Sequence, residues 1–258
     1  MISKIVRHPI LVLSTVLALA IGSWGQPTRP PAACSNATFS GTYGVTFDGI
    51  DSHSRLRVAV AQITAGGNGK FAGLESESKG GVINSNVPIT GTYAIKADCT
   101  GSGTWLAQGG KLRHYNIVLV SGGAAAELMQ TDAGHTESGF VEAQGKATCT
   151  NAGVKGTFGF RSKGSFVGGG PTAFIGQFKL DGAGNIVGNE SGSVNGTIFT
   201  GVPLVGTYTV NSNCTGSATV NPKGQTAVNF NLVVVAGGLQ VLAVETDANS
   251  IVNGSLQK

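Results

Sequence analysis

The amino-acid sequence predicts an all-β protein built from two tandem antiparallel meander β-barrels of about eight strands each, with β-sandwiches as the alternative. The composition points this way, because 41 of the 258 residues are glycine and only 12% are charged. From residue 34 onward, short apolar runs alternate with connections rich in glycine, serine, threonine and asparagine, which is typical of strands joined by tight turns. The whole strand pattern occurs twice in the chain.

The duplication organises the chain. Shifting the sequence against itself by 115 positions aligns about 110 residues without a gap, and about a third of them are identical. GTYAIKADCTG at 91–101, for example, returns as GTYTVNSNCTG at 206–216. Two long copies indicate paired domains and not a solenoid. We therefore predict repeat 1 over 34–144 and repeat 2 over 149–258, close together because few residues separate them.

Repeat 1 contains eight or nine candidate strands and almost no room for helices. They lie near 41–48, 56–64, 69–78, 80–86, 89–97, 102–108, 113–121, 124–131 and 136–143. Their connections are short, such as GGNG at 66–69 and GG at 122–123, which favours antiparallel neighbours. Closure into a barrel removes exposed strand edges, so we favour a barrel over a sandwich.

Four cysteines allow three disulfide pairings. The duplication selects Cys34–Cys99 and Cys149–Cys214, because each repeat carries one cysteine near its start and another 65 residues later. The chain-entropy model gives each bridge a stabilisation of about 4 kcal/mol. No C-x-x-C spacing occurs, which argues against a four-thiolate metal site.

Residues 1–25 are predicted to be a signal peptide. Lys4 and Arg7 form a basic segment, and the apolar run from Ile10 to Ile21 is shorter than a membrane-spanning helix. The alternative is an uncleaved anchor. Residues 26–33, QPTRPPAA, form a proline-rich lead-in. No second apolar segment is long enough to span a bilayer, so we expect no transmembrane segment in the mature chain and a secreted or periplasmic location.

Charge and motifs exclude several function classes. Loss of residues 1–25 removes Lys4 and Arg7, which lowers the formal net charge from +4 to +2. The remaining basic residues are scattered, so nucleic acid is not an expected partner. There is no phosphate-binding loop, no G-x-S-x-G and no H-E-x-x-H, and no cofactor is predicted.

In size, strand density and GTY-type strand starts, each repeat resembles the small up-and-down barrels: lipocalins, avidin and allene-oxide-cyclase-like barrels. The resemblance implies the barrel architecture. It implies no site residues, because the lipocalin G-x-W signature and the avidin tryptophans are absent; only Trp24 and Trp105 occur. The repeated pattern also resembles a group of secreted bacterial proteins of unknown function, which implies export.

Glu75 and its counterpart Glu190 are the first candidate functional residues. With the two-residue period of a strand, Glu75 shares a face with Phe71 and Gly73. If this face lines the barrel, each lumen holds a carboxylate beside apolar surface. Such a carboxylate has a raised pKa and serves as a ligand anchor, an acid or a base. The alternative is a glutamate at the rim that pairs with a lysine or caps backbone amides.

Tyr93 and Tyr208, from the GTY segments, are the other candidate ligand-binding residues, because a phenol there can reach a ligand in the lumen. The alternative is a tyrosine that fills the barrel wall with its hydroxyl at the rim. Asp132 and Asp247, in the retained TDA segment, are expected to form Asx-turns.

The mature chain has three histidines, His53, His114 and His135, all in repeat 1. Three histidines are the ligand type that zinc prefers. No two of them share a candidate strand, so no metal site is predicted.

Three function classes remain open. The favoured one is a secreted non-enzymatic protein whose lumens or inter-domain cleft bind a small apolar or amphiphilic ligand. The runs NIVLVS at 116–121 and NLVVVA at 231–236 are apolar on both faces and are expected to be covered on both sides. The second class is a structural or adhesive protein with filled barrels and a cell-envelope component as partner. The third is a cyclase- or isomerase-like enzyme that uses Glu75 or Glu190; an enzyme is less favoured.

Overall fold

The computed structural model describes residues 33–145 and 149–258. The predicted signal peptide, residues 1–25, lies outside the described residues, as does nearly all of the proline-rich lead-in. Among the residues that are described, there is no helix with the length and apolar character needed to cross a bilayer.

Within these described residues, sixteen antiparallel strands form two closed barrels, each with eight strands in chain order and its last strand paired with its first. Barrel 1 consists of β1 (Ser40–Ile50), β2 (Leu56–Gly66), β3 (Lys70–Lys79), β4 (Val82–Ile95), β5 (Thr100–Ala107), β6 (Arg113–Val120), β7 (Ala125–Gln130) and β8 (Thr136–Ala143). Barrel 2 consists of β9 (Gly156–Phe166), β10 (Gly170–Leu180), β11 (Asn185–Val194), β12 (Thr197–Val210), β13 (Thr215–Pro222), β14 (Val228–Val235), β15 (Gln240–Glu245) and β16 (Ser250–Gln257). The predicted fold class is confirmed.

One strand differs from the sequence-based expectation. The candidates at 80–86 and 89–97 are a single strand, β4, which stays paired with β3 through a β-bulge between Glu75 and Glu77. Asn86 takes a left-handed φ of 53° there, and its amide donates to Ser76 Oγ at 3.0 Å. An extra residue on one strand is what lets a long strand bend without losing its partner.

Barrel 2 repeats this bulge between Glu190 and Gly192. Gly201 stands where repeat 1 has Asn86, with a φ of 63°, and its amide donates to Ser191 Oγ at 3.0 Å. The bulge therefore adjoins the retained glutamate in both barrels.

One end of each barrel, called the closed end, carries the disulfide. Cys34–Cys99 and Cys149–Cys214 are both formed, which confirms the predicted pairing. Each bridge joins the segment before the first strand to the hairpin after the fourth strand. A 3-10 helix, Asn36–Thr38 in barrel 1 and Asn151–Val154 in barrel 2, follows the first cysteine of each pair. The opposite, open end is formed by the turns that follow the odd-numbered strands.

The two barrels pack against each other through an apolar interface. It contains Val58 and Val60 of β2 together with Val233, Val235, Leu242, Val244 and Ile251 of β14, β15 and β16. Polar contacts surround it; for example, Asn231 Nδ2 donates to Ser76 Oγ at 2.9 Å.

The interface explains why β14 is apolar on both faces. Val233 and Val235 pack against barrel 1, whereas Leu232 and Val234 belong to the core of barrel 2. The corresponding strand β6 does not meet the expectation of two covered faces, because the outward Val118 is 45% exposed. The same strand pattern thus builds an interface in barrel 2 and an exposed wall in barrel 1.

Candidate functional site

Both candidate glutamates point into a barrel lumen, as the two-residue period predicts. Glu75 is 2% exposed and Glu190 is 7% exposed. Each lies on the third strand of its barrel, beside the bulge that both barrels share and on the side of the lumen that leads to the open end. The surroundings of the two carboxyl groups differ, and this difference defines the site.

In barrel 1, Glu75 belongs to a buried arginine cluster that also contains Arg57, Arg113, Glu77 and Glu137. The Arg57 guanidinium lies at its centre. Its Nε donates to Glu77 Oε2 at 2.6 Å, and its Nη1 donates to Glu137 Oε2 at 2.6 Å. Its Nη2 forms an ion pair with Glu75 Oε1 at 3.0 Å. Arg113 Nη2 donates to both Glu75 oxygens, at 2.8 and 3.1 Å.

The electrostatics of this cluster favour its ionised form. Burial alone would lower the pKa of Arg57, but the three neighbouring carboxylates more than offset it, and the pKa lies well above its ordinary value. Burial alone would likewise raise the pKa of Glu77, yet the Arg57 guanidinium holds it below its ordinary value. Each carboxylate of the cluster thus has a guanidinium partner, and Glu75 has two.

Aromatic rings pack the lumen beneath the arginine cluster. The Trp105 ring lies 5.0 Å from Phe47 and 5.0 Å from Phe71, measured between centroids. The Tyr115 hydroxyl donates to Glu137 Oε1 at 2.5 Å, and burial raises the pKa of this phenol. The deep lumen of barrel 1 is therefore filled by side chains.

Above the cluster, barrel 1 has a cavity of about 500 Å³ whose lining includes many charged side chains. Its mouth carries His53 and His135, and Asp132 lines it as well. Asp132 accepts the backbone N–H of His114 at 2.9 Å. Charged groups of both signs line this cavity, so a ligand there would have to displace or supplement existing ion pairs.

Barrel 2 does not contain the arginine cluster. At the positions related by 115 residues, Thr172 replaces Arg57 and Val228 replaces Arg113. Glu77 and Glu137 are replaced by Gly192 and Val252, whereas Gln130 is replaced by an acid, Glu245.

In place of the cluster, barrel 2 has a cavity of about 300 Å³ below the open end, which we call the barrel-2 cavity. Five phenylalanines line it: Phe160, Phe166, Phe174, Phe178 and Phe230. Glu190 and Glu245 line it too, and within the described part of the chain no lysine, arginine or histidine does. A deeper apolar void of about 30 Å³ shares part of its lining, including Phe160 and Phe178. The cavity thus combines an apolar wall with three carboxyl groups, those of Glu190, Glu245 and Asp247.

Glu190 and Glu245 face each other across this lumen, because β11 and β15 are four strands apart in a closed barrel of eight. Burial raises the pKa of Glu190. Burial also raises the pKa of Glu245 to about 7, and the charges of Asp247 and Glu190 add to the rise. Among the described residues, neither carboxyl group forms an ion pair.

Two buried hydroxyl groups of barrel 2 lack ordinary hydrogen-bond partners among the described residues. Ser250 Oγ lies close enough to Glu245 to oppose part of its pKa rise. However, it makes no hydrogen bond of normal geometry within the described part of the chain, and the same holds for Thr172 Oγ1. Ser250 is 2% exposed and lines the barrel-2 cavity. Native proteins rarely leave such groups unpaired, so they mark a place where a polar group is expected.

The two candidate tyrosines lie at the closed end, away from the glutamates. The Tyr93 hydroxyl donates to the Phe39 carbonyl at 2.7 Å and accepts the Gly67 amide at 2.8 Å. The Tyr208 hydroxyl similarly donates to the Asn151 carbonyl and accepts the Gly182 amide, both at 3.0 Å. Both phenols hold the segment before the first strand to the rest of the barrel.

The aspartates of the TDA segments are structural in a different way from the expected Asx-turn. Asp247 Oδ2 accepts the backbone N–H of Asn229 at 2.7 Å, and Asp132 makes the equivalent bond to His114. Each carboxylate therefore ties the turn after the seventh strand to the start of the sixth strand.

The histidines do not converge on a common point. His114 Nδ1 lies 2.7 Å from Asp132 Oδ1, a pairing on the exposed surface. Within residues 33–145 and 149–258, no group of three or more histidine, cysteine, aspartate or glutamate side chains is arranged to hold a metal ion.

Arg57, Arg113 and Glu245 line the lumens but were not predicted from the sequence as functional residues. Glu245 had a detectable signal, because the repeat alignment places an acid opposite Gln130 in an otherwise apolar strand. The arginines gave none, because their contact with Glu75 depends on the pairing of strands distant in sequence.

No protein-family model matches the sequence, and no curated protein matches it. One similar solved structure is kievitone hydratase from Nectria haematococca, at 8% sequence identity and a TM-score of 0.27. The match covers 88% of this chain and 92% of that chain. A likeness of this size carries no argument about function.

Proposed function

We propose that the protein is an exported, non-enzymatic binding protein whose barrel-2 cavity holds a small, largely apolar ligand with a polar group. One observation carries this proposal: a phenylalanine-lined cavity contains two buried carboxyl groups, Glu190 and Glu245, that no cation of the described residues neutralises. Burying charge without a partner is costly to folding, so a functional reason for it is expected.

The shape of the lumen supports a ligand that is apolar at one end. The deep void is lined by apolar side chains, and the carboxyl groups lie nearer the open end. Ligand sites of proteins commonly combine an apolar wall with a few polar groups that fix orientation. Export is supported by the two disulfides, which form and persist in oxidising compartments.

The proposal is tested by titrating the protein with N-phenyl-1-naphthylamine, an uncharged apolar dye that fluoresces in dry sites. We expect saturable binding that Val228→Trp weakens at least about tenfold by filling the cavity. Val187→Trp is the matched control, because Val187 is 51% exposed on the outer wall of β11 and its substitution should leave dye affinity unchanged. No saturable binding, or equal binding by both variants, would contradict the proposal.

A second candidate function is acid–base catalysis on a ligand in the same cavity. It is favoured by the Glu245 carboxyl, whose pKa near 7 suits proton transfer at neutral pH. Compounds extracted from the purified protein should be identified by mass spectrometry and incubated with fresh protein. Recovery of the unchanged compound supports binding alone, whereas a product that Glu245→Gln fails to form supports catalysis.

A further inference from the structure

The duplication supplies an internal comparison for the retained glutamate. In barrel 1, Glu75 has two guanidinium partners, with Arg57 Nη2 at 3.0 Å and Arg113 Nη2 at 2.8 Å. In barrel 2, Thr172 and Val228 stand at those positions, yet Glu190 remains buried in the same place. Barrel 2 therefore has the buried carboxyl group but not the two guanidinium groups that pair with it in barrel 1.

Barrel 2 also has an acidic residue at a position where barrel 1 has a neutral one. Glu245 replaces Gln130 on the strand opposite Glu190. Burial raises the pKa of Glu245 to about 7, a rise that a nearby positive charge would reverse. Asp247 is the remaining titratable group of the cavity wall; Asn229, at the start of the neighbouring strand β14, holds its carboxylate at 2.7 and 2.8 Å.

The rest of the wall suits a cation with apolar substituents. The faces of phenylalanine rings attract ammonium groups, and five phenylalanines surround the cavity. The Ser250 hydroxyl, 2% exposed and without a hydrogen-bond partner of normal geometry in the described chain, is available to accept from an ammonium N–H.

We propose that the ligand of the barrel-2 cavity is an organic cation. An ammonium group lies between Glu190 and Glu245, in the role that arginine plays in barrel 1, and apolar substituents contact the phenylalanine rings. This inference rests on the proposed binding function and adds the charge of the ligand to it.

The test compares three probes of equal chain length with the full-length protein at about pH 8: octylammonium, 1-octanol and octanoate. Isothermal titration calorimetry should give octylammonium at least about tenfold higher affinity than 1-octanol, with octanoate weakest. Equal affinities for octylammonium and 1-octanol would overturn the inference and leave the proposed function standing. Failure of all three probes to bind would overturn both.

Variants locate the cation. The double substitution Glu190→Gln and Glu245→Gln should reduce octylammonium affinity to within about twofold of that for 1-octanol, because the amides keep the shape and remove the charge. Thr172→Arg should abolish the preference for octylammonium by restoring the guanidinium of barrel 1. Its matched control, Thr172→Met, adds comparable length without charge and should retain the preference. A preference that survives the double glutamine substitution would overturn the inference.

A measurement on the unaltered chain covers the case in which a variant fails to fold. Lowering the pH from about 8 to about 5 protonates Glu245 and should weaken octylammonium binding at least about tenfold while leaving 1-octanol binding unchanged. An octylammonium affinity independent of pH over this range would overturn the inference.

Discussion

Replacing Arg57 by threonine, the residue that the second repeat holds at this position, should destabilise barrel 1 strongly. Arg57 is 4% exposed and contacts three carboxylates at 2.6 to 3.0 Å. Its removal leaves buried carboxylates without their central cation, and breaking a buried ion pair in this way costs about 3–5 kcal/mol. Barrel 1 contains Glu77 and Glu137, whereas barrel 2 has no glutamate at the two corresponding positions. Threonine in place of Arg57 therefore cannot be accommodated in barrel 1 at low cost.

The loss should depend on pH. In the wild type, the pKa of Glu77 is below its ordinary value, so its contribution is present at neutral pH and is lost as the pH falls through the folded-state pKa. In Arg57→Thr, the uncompensated carboxyl groups take up protons more readily when folded. The difference in stability between the two proteins should therefore shrink as the pH falls from about 8 to about 5.

Urea unfolding followed by tryptophan fluorescence measures this effect, because Trp105 lies in the core of barrel 1 and its ring centroid is 6.0 Å from the Arg113 guanidinium. The other tryptophan, Trp24, belongs to the predicted signal peptide, and a chain that begins at Gln26 leaves Trp105 as the single tryptophan. The control is Arg161→Thr, an exposed arginine whose loss should change stability by less than about 0.5 kcal/mol. A loss of less than about 1 kcal/mol at neutral pH in Arg57→Thr would show that the arginine cluster behaves like an exposed ion pair, because exposed ion pairs contribute that little.

Two further predictions concern barrel 2. Glu245→Gln should stabilise the unliganded protein by about 3 kcal/mol at pH 8 and hardly at all near pH 4.5, because the pKa rises from 4.5 to about 7 on folding and stability is lost as the pH rises through that value. Urea midpoints at the two pH values test it, and an equal gain at both would contradict it. Gly201→Asn should be tolerated, since Asn86 holds the same left-handed conformation in barrel 1, whereas Gly201→Val should lose about 1–2 kcal/mol in thermal unfolding. Equal losses for the two substitutions would show that the bulge does not require that conformation.

The fold was predictable because it follows from local patterns. Short connections force antiparallel neighbours, and the duplication fixes both the number of barrels and the pairing of Cys34 with Cys99. The strand boundary within β4 was not predictable in the same way. In the sequence, Asn86 and Pro88 indicate that the strand is interrupted. In the structure, the hydrogen bonds between β4 and β3 continue across both residues.

The site was predictable only in part. The two-residue period placed Glu75 and Glu190 on the inner face, because that period is a property of any strand. It could not place the partners. Arg113 is 38 residues from Glu75, and contact between them requires the closed barrel. Likewise, Tyr93 precedes the disulfide-bonded hairpin and therefore lies near the closed end. Its distance from the glutamates follows from the direction in which its strand runs.

Glu190 and Glu245 are proposed to form a pair of carboxyl groups without a cation in the free protein, which a ligand cation neutralises. The most direct test is a ¹³C NMR titration of the glutamate side-chain carboxyl carbons, assigned with Glu245→Gln and Glu190→Gln, with and without saturating octylammonium. We expect the Glu245 carboxyl to titrate at about pH 7 in the free protein and its pKa to fall when the cation binds. A Glu245 carboxyl that titrates near its ordinary pKa of 4.5 in the free protein, or whose pKa the cation does not change, would rule out the proposed neutralisation.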